Sequence, residues 1–188
     1  MRTEWIVIFI VVAIVIYAAV VYNRLVRARN LVREAWSGID VQLRRRSDLI
    51  PNLVETVNAY AGHERSVFDE ITARRAASVS AQGVAQTASS ETALQGALGR
   101  LLAVAEAYPQ LKADQNFLKL QTELSEIEDQ LQMARRYYNG TVRDFNIAIQ
   151  TFPDVLIAHA AGMHEEHFFE TDAASKAAPA VSLSGAGA

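Results

Sequence analysis

The sequence predicts an all-α protein: an N-terminal transmembrane helix that continues into a long antiparallel, up-and-down helical bundle of the four-helix type. Three observations carry this. An unbroken apolar stretch, Trp5 to Tyr22, opens the chain. Two long runs of apolar residues then step by three and four, the spacing of a helix packed along its length. Between them lie small polar residues and Pro–aromatic breaks in place of the alternating pattern of strands.

The stretch from Trp5 to Tyr22 holds 18 uncharged residues. At a rise of 1.5 Å per residue it matches the roughly 30 Å hydrocarbon core of a bilayer. Trp5, Tyr17 and Tyr22 are its expected interfacial anchors, and Arg24, Arg27, Arg29 and Arg33 follow. A cleaved signal peptide would need a basic start, a short core and a small-residue cleavage site. Here Glu4 offsets Arg2, and Ala18-Ala19 runs into bulky Val20, Val21 and Tyr22, so an uncleaved anchor over residues 1–23 is expected. The arginines after the span place the helical domain in the cytoplasm and the short N-terminus outside.

Beyond the anchor, residues 24–169 suit one domain. With no cysteine in the chain, a disulfide framework, a thiolate nucleophile and a Cys-type zinc site are all excluded. Residues 1–75 carry eleven basic and eight acidic side chains, and residues 76–188 carry seven and thirteen. That split fits antiparallel helices meeting through opposite charges, or a basic end facing anionic lipid. No segment joins strong positive excess to exposed aromatics, so nucleic acid is not an expected partner.

The first seam reads Ile39, Leu43, Arg46, Ile50, Leu53, Val57, Tyr60, Glu64, Val67 and Ile71, with Leu25, Val32 and Trp36 extending it back to the anchor. This predicts one helix from Leu25 to Ile71. Pro51 removes the donor to the Ser47 carbonyl, which predicts a kink near residues 47–50. The unbroken phase favours a kinked continuous helix over an end at Ser47 or Asp48 with a new start. Gly38 is a weak point of flexure. Residues 76–92 have no large apolar residue apart from Val79 and Val84 and are expected to form a loop with some helix. Leu94, Leu98, Leu101, Leu102 and Ala105 form the inward face of a second helix, ended by Tyr108-Pro109. The third helix steps without a miss through Phe117, Leu120, Leu124, Ile127, Leu131, Ala134, Tyr138, Thr141, Phe145, Ala148 and Phe152. A short fourth starts at Val155-Leu156-Ile157 and ends near Gly162. The Ala-, Ser- and Gly-rich tail, residues 170–188, is expected to be disordered.

Chemistry-bearing patterns are sparse. No phosphate loop or nucleophile elbow is present. His164-Glu165-Glu166-His167, with His159 nearby, lacks the His-Glu-x-x-His spacing of zinc proteases and suits a solvated patch better than a metal site. The run Arg44-Arg45-Arg46 suits ion pairs with Asp48 or with Glu126, Glu128 or Asp129 on a neighbouring helix better than lipid phosphates. Arg46 falls in the seam and needs a partner that is buried or on another subunit. Asn139 and Asn146, seven residues apart beside Phe145, fit a polar layer that sets helix register.

Long motifs carry a resemblance. They are Tyr22-Asn23 after the anchor; Trp36-Ser37-Gly38-Ile39-Asp40 through Arg46-Ser47-Asp48-Leu49-Ile50-Pro51-Asn52-Leu53-Val54; Ala107-Tyr108-Pro109-Gln110-Leu111 through Asn116-Phe117; and Tyr138-Asn139, Phe145-Asn146 and Phe152-Pro153. In these the chain resembles the LemA family, except that Phe145 stands where a Tyr is usual and the tail lies outside the pattern. The resemblance implies a bacterial inner-membrane protein with one N-terminal span, a long antiparallel helical bundle and no established enzymatic activity; no cofactor is expected. It also implies links to membrane organisation, to magnetosome biogenesis in one branch, and to envelope stress beside a membrane zinc protease. The seam from Leu25 to Ile71 is longer than the second helix can cover, so the expectation is a non-enzymatic scaffold, in contact with membrane lipid, that self-associates through an uncovered apolar edge near Leu25–Trp36. The alternative is a monomeric adaptor presenting its surface to another membrane protein, such as a quality-control protease.

Overall fold

The computed structural model describes residues 2–170, which form six helices and no strand. They are α1 (Arg2–Asn58), α2 (Arg65–Ser80), α3 (Gly83–Glu106), α4 (Pro109–Lys112), α5 (Gln115–Gln150) and α6 (Asp154–Ala160). The expected disordered tail lies outside the described residues.

α1 is a single 57-residue helix that carries the apolar stretch and the first half of the seam without a break. Pro51 sits inside it with its ring in solvent. α1 and α5 form the main pair and run antiparallel. Arg24 meets Asp154, Trp36 meets Tyr138, Arg46 meets Glu128 and Tyr60 meets Asp114, one chain rising as the other falls. α2 and α3 form an antiparallel hairpin against the half of this pair far from the apolar stretch, held by Arg100–Glu70 and Ser78–Glu91.

Three expectations about elements are corrected. The first helix ends at Asn58, and its seam passes into α2 after a turn at Tyr60–His63, where Ala61 is buried and Gly62 breaks helical propensity. Residues 76–92 are almost wholly helical, interrupted only at Ala81-Gln82, with Gly83 at φ 75° opening α3. Thr87, Ala88 and Glu91 point inward on the same face as Leu94, Leu98 and Leu101, so small side chains supply the packing surface there. Phe152 is exposed rather than seamed, because α5 stops at Gln150.

Buried apolar side chains divide into two cores. The near core, beside the apolar stretch, contains Val21, Leu25, Val32, Ile39, Leu43, Leu131, Tyr138, Phe145, Ala158 and Phe169. The far core contains Ile50, Leu53, Val57, Ile71, Leu94, Leu101, Leu111, Phe117 and Leu124. Arg46 lies between them along α1, one turn from Leu43 on one side and from Ile50 on the other.

Candidate functional site

The apolar end is long and apolar enough to cross a membrane, with a mean hydropathy of 2.9 over its most apolar window. Only 6% of that window is buried within the protein, unlike a soluble protein's core helix. Trp5, Tyr17 and Tyr22 are exposed along it. Where the apolar stretch ends, Arg24 pairs with the buried Asp154 at the start of α6, Arg27 is exposed, and Arg29 lies 3.7 Å from Glu166.

Midway along the molecule, Arg46 is fully buried and forms ion pairs with Glu91 of α3 and Glu128 of α5. Its partners therefore lie within the chain, and no second subunit is needed to neutralise it. Glu91 escaped the sequence reading because it falls in the stretch expected to be a loop. A buried ion pair is poor evidence of net stability, but its geometry is specific. This one admits a single alignment of α1, α3 and α5. Beside it, Arg135 lies across the Phe169 ring at 5.0 Å, and its guanidinium pKa is lowered mainly by burial and by Arg46. The rest of the arginine run pairs outward: Arg44 to Asp40 at 2.8 Å, and Arg45 to Gln130 at 3.2 Å. Asp48 is exposed and lines a cleft of about 500 Å³ between α1, α2 and α3.

Pro51 leaves the Ser47 carbonyl without its helical donor. The Arg75 Nε of α2 fills the vacancy, donating to that carbonyl at 2.8 Å. Proline thus turns a helix-internal bond into one that fastens α2 to α1.

The side-chain amides of Asn139 and Asn146, expected to form a polar layer between helices, bond instead to the segment after α6. Each holds the backbone N–H and C=O of one residue in that segment. Asn146 Nδ2 donates to the Glu166 carbonyl and Glu166 N donates to Asn146 Oδ1, both at 2.9 Å. Asn139 does the same with Phe169, at 3.2 and 2.8 Å. Between them the Tyr138 hydroxyl donates to the His167 carbonyl at 2.8 Å. The spacing explains the match. Seven residues of helix advance about 10.5 Å on one face, and three residues of extended chain span up to about 10 Å. Gly162, at φ 63°, reverses the chain into this path, with Met163 N donating to Ala158 O and Gly162 N to His159 O, the Schellman pattern.

Residues 163–169 thus become a strap that closes the near core. Phe169 enters that core and meets Trp36 at 5.9 Å, while Trp36 also meets Tyr138 at 5.4 Å. Tyr138 has its pKa raised to about 12, first by burial and then by Glu166. The edge near Leu25–Trp36, expected to be free for self-association, is covered: Leu25 and Val32 are buried and Trp36 is half-buried beneath the strap. His159, His164 and His167 are exposed, and among the described residues no three His, Cys, Asp or Glu side chains gather as a metal site would require.

A family model described as the LemA family matches residues 35–183, from just before Trp36 through α6, the strap and beyond. The chain belongs to the LemA family. Its relatives include Magnetosome protein MamQ 2 of Paramagnetospirillum magneticum, 27% identical over 186 residues, covering 85% of this chain and 68% of the relative. Magnetosome protein MamQ of Magnetospirillum gryphiswaldense is 26% identical over 174 residues, covering 79% and 64%. Protein LemA of Metamycoplasma hominis is 27% identical over 152 residues, covering 79% and 68%. Together with the apolar helix, these mark a membrane-associated helical protein.

Proposed function

We propose that this protein is a non-catalytic scaffold anchored in the bacterial inner membrane, with its N-terminus outside and its helical domain in the cytoplasm. One observation carries the reading. The apolar stretch and the packing seams of both cores lie on one uninterrupted helix, so the domain has no flexible linker between itself and the bilayer. A rigid connection suits a brace or template better than a tethered catalyst, which needs freedom to reach substrate. The relatives named as magnetosome proteins favour a role in membrane organisation.

The scaffold self-associates through the side of α1 and α5 facing away from the strap. Leu31 and Val41 of α1 and Met133 and Tyr137 of α5 are all exposed there, around the Arg45–Gln130 bond. The test is the size of the full chain in native membrane discs, before and after Val41→Glu with Tyr137→Glu. Oligomers that disperse in the double variant are expected. A monomer at all protein-to-lipid ratios would overturn self-association. A monomer bound stoichiometrically to another membrane protein would establish the adaptor reading in its place.

A further inference from the structure

We infer that the corner between α5 and α6, carrying Phe152 and Leu156, rests in the headgroup–acyl boundary of the bilayer that α1 crosses. The domain then touches the membrane at a second point beside its anchor. This rests on the reading of α1 as a membrane span.

The position follows from the ends of two helices. α5 runs antiparallel to α1, so its C-terminus returns to the apolar stretch. There Asp154, buried at the head of α6, pairs with Arg24. Val21 belongs to the apolar stretch, yet it is only 3% exposed and shares the near core with Ile149 and Ala158. The folded domain therefore covers the last turn of the span itself. Eighteen residues of helix from Trp5 to Tyr22 cover about 27 Å, close to the hydrocarbon thickness, which sets Tyr22 at the boundary. Arg24 lies about 3 Å further along the axis, and the corner lies level with it.

The chemistry at that level fits a lipid surface. Phe152 is 77% exposed and Leu156 63%, the first being the most exposed large apolar side chain among the described residues. In water such a pair is an unsatisfied apolar patch, whereas at the interface apolar side chains enter the acyl boundary beneath polar groups. Arg27, exposed about one turn further along α1, supplies positive charge for anionic headgroups. The occupant is therefore the phospholipid interface.

The chain has no native cysteine, so single labels can be placed cleanly. Val12→Cys, Phe152→Cys and Ala59→Cys would each carry an environment-sensitive aromatic fluorophore, with the full chain in discs of phosphatidylcholine and phosphatidylglycerol. Quenching by lipid-borne nitroxide is compared with quenching by aqueous iodide. The expected result is lipid quenching at 12 and 152, with iodide access at least threefold lower than at 59. A label at 152 that is open to iodide and insensitive to lipid nitroxide, while 12 remains lipid-quenched, overturns the inference and leaves the span intact. Loss of lipid quenching at 12 overturns the span reading and the inference with it. Protection of 152 from both quenchers means that protein covers the corner, which also overturns it. A reporter at His159→Cys should lose at least half its lipid quenching when Phe152→Glu and Leu156→Glu are added. Unchanged quenching there would count against the two side chains.

Discussion

The halves on either side of Arg46 share α1 and α5 but are closed differently. In the far half the α2–α3 hairpin lays Phe68, Ile71, Leu94 and Leu101 over the long pair. In the near half α6 and a single extended strap, with Val84 and Ala88 at the start of α3, close the core, and the strap is held by side-chain amides that pair with its backbone. The difference shows what a heptad seam can and cannot specify. It aligns two helices over their whole length, but the third wall depends on groups off the seam: Glu91 and Arg75 in one half, Asn139, Asn146 and Tyr138 in the other.

Removing the boundary between the halves should have the largest effect. Arg46→Ala strips the buried Glu91 of its ion-pair partner and leaves Glu128 only the neighbouring Arg135, and should cost about 3–5 kcal/mol, read by denaturant unfolding in detergent. Replacing Arg46, Glu91 and Glu128 together by apolar residues of similar volume should recover most of that loss. If Arg46→Ala alone is neutral, the charged layer does not join the halves.

The Ser47 carbonyl, left free by Pro51, is the sharpest probe of the far half. Arg75→Ala should cost about 1–3 kcal/mol, since it strands a carbonyl that a charged donor had satisfied. In a Pro51→Ala background the helix supplies its own N–H to Ser47, so the cost of losing Arg75 should shrink to under half. Equal costs in both backgrounds would show that Arg75 acts elsewhere.

The near half should answer to its amide clamps. Asn146→Ala leaves both backbone polar groups of Glu166 without their partner and should cost about 1–3 kcal/mol. Hydrogen exchange should accelerate through residues 163–169 while Leu101 and its neighbours keep their protection. Tyr138→Phe is milder, at about 1 kcal/mol. Its hydroxyl also fixes a pH dependence. The folded pKa, about 12, stands above the ordinary value of about 10. Its contribution is thus intact below pH 10 and is lost as pH rises toward 12, a loss that Tyr138→Phe should abolish.

The smallest effect belongs to the cap of α5. Asp114 Oδ1 accepts from Asn116 N at 2.8 Å and from Phe117 N at 3.0 Å. Those backbone donors, chiefly Phe117, and the Tyr60 hydroxyl hold its pKa below the usual carboxylate value. Its stabilisation is therefore present above about pH 4 and lost as pH falls through the depressed value. Faster exchange at residues 116–118 in Asp114→Ala, with the strap unaffected, is the expected readout.

These contrasts also mark what was legible in the chain. The α5 seam from Phe117 to Phe145 was plain, because large apolar residues recur every three or four positions with no competing pattern. The turn after Asn58 was hidden because Tyr60 and Glu64 continue the same stepping, and Gly62 was the only local signal against it. Residues 76–92 looked like a loop because Thr87 and Ala88 pack by smallness, which hydrophobic periodicity does not register. Asn139 and Asn146 stood out as a same-face pair, but their partner was invisible. An extended strap has no apolar period of its own, and its hold is made by backbone groups that every residue has.

A pair of spin labels at Asn23 and Asn58, both exposed on α1, tests the central claim that one rigid helix joins the membrane segment to both cores. In lipid discs the separation along 35 residues of helix should be a single narrow distribution near 52 Å. A broad or two-peaked distribution, or a mean under about 40 Å, would mean that α1 breaks at Gly38 or Pro51 and would contradict the account.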